Sequence, residues 1–86
     1  MKVRQSKDIC VAHLPNSIVI FNCRTYRSYV CNDTARLVWN FCKKPRSLNQ
    51  ISRFFSHKYQ IGLSKTRRDI NRLIHQLKKR MLIVCS

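Results

Sequence analysis

The chain has 86 residues, of which 44% are hydrophobic, one is Gly and two are Pro. This length favours a single domain over residues 1–86, and the apolar content argues against a disordered segment. There are 18 Lys and Arg residues against three acidic ones, a formal net charge of +15. So few carboxylates argue against paired-carboxylate catalysis and hard-metal binding. The charge predicts an anionic partner: nucleic acid, an acidic peptide, an acidic protein or a membrane surface.

The cysteines form no recognisable metal or disulfide pattern. They are Cys10, Cys23, Cys31, Cys42 and Cys85. Their number is odd, no two have the spacing of a zinc knuckle, and the three histidines have no partner at ligand spacing. We therefore expect reduced thiols that mostly pack in the interior, no metal site and no other cofactor.

The ends of the chain carry no targeting signal. The N-terminal Met1-Lys2-Val3-Arg4 continues into polar residues instead of the apolar segment of a signal peptide. The longest apolar stretches, residues 18–21 and 81–85, are far too short to span a bilayer. We expect a cytoplasmic protein with no membrane partner.

The first third of the chain predicts three short antiparallel strands joined by tight turns. In residues 9–13 the larger side chains Ile9, Val11 and His13 alternate with Cys10 and Ala12, and a Pro15-Asn16 turn signal follows. Residues 17–23 are then rich in β-branched and aromatic side chains. A turn over residues 24–27 then leads into a third strand over residues 28–31. This turn contains no Gly.

From Asn32 the pattern becomes helical. Asn32 is a good N-cap, and Pro45 ends the segment. The buried face of this first helix is predicted to carry Ala35, Val38, Trp39 and Cys42.

A second helix opens with a capping box, in which Ser47 is the N-cap and Gln50 occupies the third helical position. It is predicted to run to about Tyr59, before a stop at Gly62. Its inward side chains are expected to be Leu48, Ile51, Phe54 and Phe55.

A third helix is predicted to begin at a Ser64 cap, and residues 82–84 follow it as a short strand or docked tail. Its apolar stripe comprises Ile70, Leu73, Ile74, Leu77 and Met81. Its opposite face is almost wholly basic and comprises Arg68, Arg72, His75 and Lys79. The predicted fold class is α+β and winged-helix-like, with a three-stranded antiparallel sheet followed by three helices.

The order of these pieces resembles the PqqD-like family, also called RiPP recognition elements, over roughly residues 9–84. The resemblance rests on Asn-Asp-Thr-Ala-Arg-Leu-Val-Trp at 32–39, Ser-Leu-Asn-Gln-Ile at 47–51, Asp69-Ile70 ahead of Leu73 and Leu77, and Met-Leu-Ile-Val at 81–84. Each piece alone is a cap or a core stripe, whereas the ordered set preceded by three strands is much more specific. The cysteine-rich strand region, the missing Gly and the charge depart from the family's pattern.

The resemblance implies that the leader segment of a precursor peptide adds as a strand beside the third strand, in the cleft before the third helix. The pairing edge would comprise Arg27, Ser28, Tyr29, Val30 and Cys31. The sequence does not fix which flank of the third helix faces the cleft. We expect the flank with Arg67, Asn71 and Lys78, above a floor of Ile74. On the simpler interpretation, Tyr29 and Ile74 are core residues and the basic side chains form a solvated face.

The resemblance further implies a non-catalytic protein with no catalytic residues. It would capture a leader and present it to a separate maturation enzyme such as a peptidase, a cyclase or a radical-SAM enzyme. The net charge of +15 predicts that this leader is acidic. A stand-alone module of this size favours a lasso-peptide pathway, and hence antibiotic biosynthesis, over a pyrroloquinoline-quinone pathway.

Two other interpretations stay open. A DNA-binding winged helix would use Arg67, Arg68 and Arg72, although the strands here precede the helices instead of following the recognition helix. An RNA-binding accessory protein would stack bases on Phe21, Tyr26 and Tyr29. Core or edge packing explains these aromatic residues more simply.

Overall fold

The computed structural model describes residues 2–86 as two small antiparallel sheets and three helices. In chain order the elements are β1 (Lys2–Gln5), β2 (Ile9–Leu14), β3 (Ser17–Asn22), β4 (Ser28–Cys31), α1 (Asp33–Phe41), β5 (Arg46–Ser47), α2 (Leu48–Tyr59), α3 (Leu63–Lys79) and β6 (Ile83–Cys85). The predicted α+β fold class, with three antiparallel strands followed by three helices, is confirmed. Within residues 2–86, none of the helices has both the length and the apolar character needed to cross a membrane.

The predicted strands form the sheet β2-β3-β4. In its register Val11 lies opposite Ile20, which lies opposite Tyr29 on the other side. Ile18 and Ile20 are buried in β3, while Ser17, Val19 and Phe21, which alternate with them, are only half-buried. One face of the sheet therefore packs on the helices, and the other face is open.

The turn between β3 and β4 is held by the buried side chain of Asn22. Its Oδ1 accepts hydrogen bonds from the backbone N–H groups of Arg24 and Thr25, at 2.9 and 3.1 Å. Its Nδ2 donates to the carbonyl of Met81 at 2.8 Å, beyond the end of α3. Tyr26 takes the left-handed conformation, with φ of 60°, that glycine usually provides in such a turn. The amide thus organises a glycine-free turn and ties it to α3.

The second sheet, β5-β1-β6, was not predicted. β1 pairs with both neighbours, and its Val3 is fully buried although it precedes the expected core range of 9–84. The interpretation of residues 82–84 as a strand or docked tail agrees with β6. By pairing with the C-terminal strand β6, the N-terminal strand β1 thus covers one side of the core.

The helix starts follow local capping chemistry at two of three positions. Asn32 accepts a hydrogen bond from the N–H of Ala35 at 2.9 Å, and both bonds of the Ser47–Gln50 capping box are present. The predicted Ser64 cap is wrong. Gly62 is the N-cap of α3, with no side-chain cap, because the chain leaves α2 through a left-handed residue and enters the next helix early.

Two side chains predicted to point inward are exposed. Phe54 is 46% exposed and stacks on Phe41 at 4.6 Å between ring centroids, at the margin of the core. Met81 is 58% exposed because α3 ends at Lys79, after which helical spacing no longer sets its direction. The buried apolar cluster comprises Val3, Ile18, Ile20, Cys31, Ala35, Val38, Trp39, Cys42, Ile51, Phe55, Ile70, Ile74, Leu77, Leu82 and Ile83.

The expectation that all five thiols are reduced is wrong for two of them. Cys10 and Cys23 form a disulfide on the exposed side of the β2–β3 hairpin, with Cα atoms 6.6 Å apart. Cys31 and Cys42 are buried free thiols, as expected, and Cys85 is half-buried. The pairing follows from the strand register, which the chain spacing alone did not reveal.

We predict that Asn22→Ala destabilises the protein by about 2–3 kcal/mol, because it orphans three hydrogen-bonding partners and empties a buried site. Urea denaturation followed by circular dichroism measures the loss. Asn16→Ala, in the exposed turn between β2 and β3, is the control and should stay within about 0.5 kcal/mol of the original. Equal stability of the two variants would contradict this role for Asn22.

The buried thiols should react slowly. Burial raises the pKa of both Cys31 and Cys42 to about 11 from the ordinary 9.0. Two units of pKa lower the thiolate fraction about a hundredfold at pH 8, and it is the thiolate that reacts. Iodoacetamide should therefore label either buried thiol at least about a hundredfold more slowly than it labels the same thiol in the unfolded chain, as read by peptide mass spectrometry. Unfolding in guanidinium supplies the reference rate, and fast labelling of Cys31 or Cys42 in the folded protein would contradict this arrangement.

Candidate binding groove

The outer edge of β4 is unpaired among the described residues, since β4 hydrogen-bonds only to β3 within its sheet. The N–H of Asn22 donates to the Arg27 carbonyl at 2.9 Å, so this is a hydrogen-bonded pair. Alternation along an antiparallel ladder then directs the backbone of Tyr29 toward β3 and the backbones of Ser28 and Val30 away from it. The free edge therefore offers the N–H and C=O groups of Ser28 and Val30.

A cleft of about 310 Å³ separates this strand from α3. Its lining residues are Tyr29, Asp69, Arg72, Leu73 and Gln76. The α3 residues are spaced three and four apart, so they form one flank of the helix beside its buried stripe. Because a strand added to β4 would run along this cleft, its side chains would meet that flank.

The ring of Tyr29 is fixed at the mouth of the cleft by Arg80. The Arg80 guanidinium lies 5.2 Å from the ring centroid, within cation–π range. The same guanidinium donates to the Gln76 side-chain oxygen at 2.7 Å and to the Gln76 backbone carbonyl at 3.2 Å. With Arg72 this end of the cleft presents two guanidinium groups, so it favours a negatively charged occupant.

A second, apolar cavity of about 260 Å³ continues the cleft toward the start of α1. It is lined by Thr34, Phe55, Tyr59, Ile61, Thr66, Asp69 and Ile70. Asp69 borders both cavities, and the buried hydroxyl of Thr66 has no hydrogen-bond partner among residues 2–86. The groove thus has a basic end at Arg72 and Arg80 and the carboxylate of Asp69 in its middle. Its other end is apolar and carries the hydroxyl of Thr66.

The predicted edge residues lie in different environments. Tyr29 is half-buried and lines the cleft, Cys31 is buried in the core, and Val30 is 64% exposed on the open face of the sheet. Arg27 and Ser28 are exposed at the start of the strand. Their backbone positions agree with an edge strand, and their contact with a peptide stays a prediction.

The predicted helix residues lie on the other flank of α3. Arg67 donates to the Asn49 side chain of α2 at 2.6 Å, so this flank, with Asn71 and Lys78, is turned toward α2. Ile74 is buried in the core. None of these four lines the cleft beside β4. Their contact with a peptide stays a prediction, but the residues that share the cleft with Tyr29 are different ones.

Sequence reasoning missed Asp69, Gln76 and Arg80 as groove residues and treated Leu73 only as core. It placed Arg72 on the basic face opposite the core stripe, which is wrong, since Arg72 lines the cleft. The signal was present in part: these positions form a mixed polar and apolar row beside the buried stripe. What decides between the two flanks is the packing of α2 against α3, which is not local in sequence.

Comparison with known families matches residues 17–83 to the family described as Coenzyme PQQ synthesis protein D (PqqD). Curated protein sequences give no significant match. Among solved structures, the chain is similar to "Lasso peptide synthetase B1 complexed with the leader peptide", with TM-score 0.83 and 24% identity, over 99% of this chain and 100% of that one. It is also similar to "TbiB1 in Complex with the TbiA(beta) Leader Peptide", with TM-score 0.83 and 14% identity, over 96% of each chain.

The family match and these structures agree with the geometry of the sheet and the three helices, and the resemblance noted in the sequence is confirmed. The family match covers well over half of the 86 residues. The chain therefore belongs to the PqqD family.

Proposed function

We propose that this protein binds the leader segment of a ribosomally made precursor peptide by strand addition to β4, in the groove before α3. The observation that carries the proposal is the free edge of β4, where the backbones of Ser28 and Val30 point into open space beside a formed cleft. An extended peptide satisfies such groups directly. The two solved structures of the same fold described as leader-peptide complexes support this proposal.

Backbone hydrogen bonds and side-chain contacts would both contribute to the affinity for the leader. Ser28 and Val30 offer two N–H and two C=O groups, each net hydrogen bond contributing about 1 kcal/mol. Micromolar binding corresponds to about 8 kcal/mol, so the cleft must supply the rest. Leu73 and the apolar cavity around Phe55 can bury leader side chains, and Tyr29 can pack against the added strand.

An acidic leader fits the electrostatics of the basic end. Arg72 and Arg80 flank Tyr29, and within residues 2–86 the ion pair found joins Arg36 to Asp33, away from the groove. Leader carboxylates could pair with these guanidinium groups, and the net charge of +15 would speed encounter. Asp69 would favour a hydrogen-bond donor at the middle of the same peptide.

We further propose that the protein has no chemistry of its own and presents the leader to a separate maturation enzyme. The groove combines pairing groups and anchoring surfaces without an arranged nucleophile and base. We favour a leader peptidase of a lasso-peptide pathway, because the match to the lasso peptide synthetase B1 structure covers 99% of this chain and 100% of that one. We place this activity in the cytoplasm, within one recognition domain.

We predict that Val30→Pro weakens leader binding at least about tenfold more than Val30→Ala does, because Pro removes the outward N–H. The β3–β4 ladder does not use this N–H, so both variants should fold. Calorimetry with a synthetic leader measures binding, and circular dichroism checks folding. Equal losses for the two folded variants would contradict strand pairing at this edge.

The two arginines beside the cleft should contribute more to leader affinity than the basic residues on the exposed face of α3. We expect Arg72→Gln with Arg80→Gln to weaken leader binding about tenfold or more, since each lost charge-assisted pair is worth about 1 kcal/mol or more. The matched control, Arg68→Gln with Lys79→Gln, removes the same charge from the exposed face of α3 and should stay within about threefold. Thermal unfolding tests whether the loss of Arg80 lowers stability. Similar losses in both pairs would mean that only net charge matters.

The salt dependence of the affinity distinguishes leader binding from nucleic-acid binding. Between 50 and 200 mM salt we expect leader affinity to fall about tenfold or less, with the change mainly in the association rate. A protein held by about six phosphate contacts would instead lose roughly a thousandfold over that range. Surface plasmon resonance with leader and with duplex DNA measures both. Tight DNA binding with the steep salt slope, and no leader binding, would reverse the proposal in favour of a DNA-binding winged helix.

A further inference from the structure

The solvent-facing side of α3 is basic along most of the helix. Lys65, Arg68, His75 and Lys79 are exposed, and the spacings of three, seven and four residues between them keep them on one face of the helix. Arg72, which falls between Arg68 and His75, turns to the cleft instead. At a rise of about 1.5 Å per residue, the segment from Lys65 to Lys79 is about 21 Å long.

The neighbouring flank of α3 and the adjacent side of α2 extend this basic face. Arg67 donates to the Asn49 side chain of α2 at 2.6 Å, which joins the two helices. Arg53 is exposed and lies one helical turn after Asn49, so it is on the side of α2 that faces α3. Lys78, on the same flank of α3 as Arg67, is exposed as well. We call the six Lys and Arg residues together the α2–α3 basic surface: Arg53, Lys65, Arg67, Arg68, Lys78 and Lys79.

The protein's own carboxylates do not neutralise the α2–α3 basic surface. The chain has only three, of which Asp8 precedes β2, Asp33 begins α1 and Asp69 borders the cleft. Within residues 2–86 the ion pair found joins Arg36 to Asp33, so none of the six cations is paired there. Like charges one turn apart destabilise a helix. An anionic ligand on this surface would relieve that repulsion.

Leader binding leaves the α2–α3 basic surface open. A strand added to β4 would meet the flank of α3 that carries Leu73 and Gln76. The six cations lie on the solvent-facing side and on the opposite flank, which is turned toward α2. The proposed groove therefore does not account for them.

The shape and chemistry of this surface fit a row of phosphates. A nucleic-acid duplex carries one charge about every 1.7 Å of its axis, so a basic segment of about 21 Å faces several phosphates at once. Arginine guanidinium groups bind phosphate oxygens in a bidentate manner. The surface has no Phe, Tyr or Trp ring on which unpaired bases could stack, which favours a duplex over a single strand. It also has no apolar side chain that could enter a lipid bilayer.

We propose that the α2–α3 basic surface binds the phosphate backbone of a nucleic-acid duplex, as an activity additional to leader binding. Phosphate contacts carry no direct sequence information, so the affinity is independent of the base sequence. Release of counterions from the duplex drives the association. The site does not depend on an occupied leader groove.

The test is fluorescence anisotropy with a labelled duplex DNA of mixed sequence, over a series of salt concentrations. One variant removes four cations of the surface: Arg53→Gln, Lys65→Gln, Arg68→Gln and Lys79→Gln. The matched control removes the same charge from exposed cations elsewhere: Lys2→Gln, Arg4→Gln, Lys43→Gln and Lys44→Gln. At about 100 mM salt we expect the surface variant to lose at least about tenfold in duplex affinity and the control to stay within about threefold. The plot of log affinity against log salt should become shallower by about three units in the surface variant alone.

Circular dichroism establishes that both variants are folded. Equal losses in the two would mean that net charge alone attracts the duplex, which overturns the site. Polyglutamate of matched charge that competes as well as unlabelled duplex also overturns it, because the surface would then serve an acidic polypeptide. Tighter binding of the single strand than of the duplex contradicts backbone recognition of a double helix.

Val30→Pro separates this inference from the proposed function. The variant alters the leader edge and should keep duplex affinity within about twofold, since β4 lies outside the α2–α3 basic surface. Loss of duplex binding in the folded variant would place the nucleic acid in the groove and overturn the inference. If the original chain binds duplex through the six cations but binds no leader, the proposed function fails and the basic surface stands.

Discussion

The side chain of Asn22 sets the spacing between β4 and α3, and the groove lies in the space between these two elements. It is buried between the end of β3 and the end of α3, holds the β3–β4 turn through two backbone N–H groups and reaches the Met81 carbonyl with its amide N–H. Since β4 begins directly after this turn and the α3 flank ends near Met81, one amide fixes the strand against the helix. Arg80 adds a second link across the same end, through the ring of Tyr29. The cleft is therefore a preformed feature and not a gap that a peptide must open.

The same sheet separates backbone recognition from side-chain recognition. β4 turns the backbones of Ser28 and Val30 outward and the side chain of Tyr29 toward the helices, while the side chain of Val30 lies on the open face. A peptide strand at this edge would meet the guanidinium groups of Arg72 and Arg80 on one side and the open face of the sheet on the other. A basic surface raises the rate of encounter with an acidic peptide without fixing the register of the added strand.

Features set by local chemistry were predictable from sequence, and features set by long-range packing were not. The caps at Asn32 and Ser47 depend on bonds within three residues, and the strand over Ser17–Asn22 shows its β-branched composition directly. The β5-β1-β6 sheet joins short segments from the two ends and the middle of the chain, so neither composition nor periodicity reveals it. The choice of flank on α3 likewise depends on the contact of Arg67 with α2. The Cys10–Cys23 bond depends on the register of a hairpin.

The most direct test of the account is amide hydrogen exchange on β4, residue by residue, with and without a synthetic leader peptide. The N–H of Tyr29 already lies in the ladder with β3, whereas the N–H groups of Ser28 and Val30 face the open edge. The account predicts that the leader slows exchange at Ser28 and Val30 by at least about tenfold and changes Tyr29 little, since only the edge groups gain partners. Protection confined to the exposed face of α3, with β4 unchanged, would contradict strand addition.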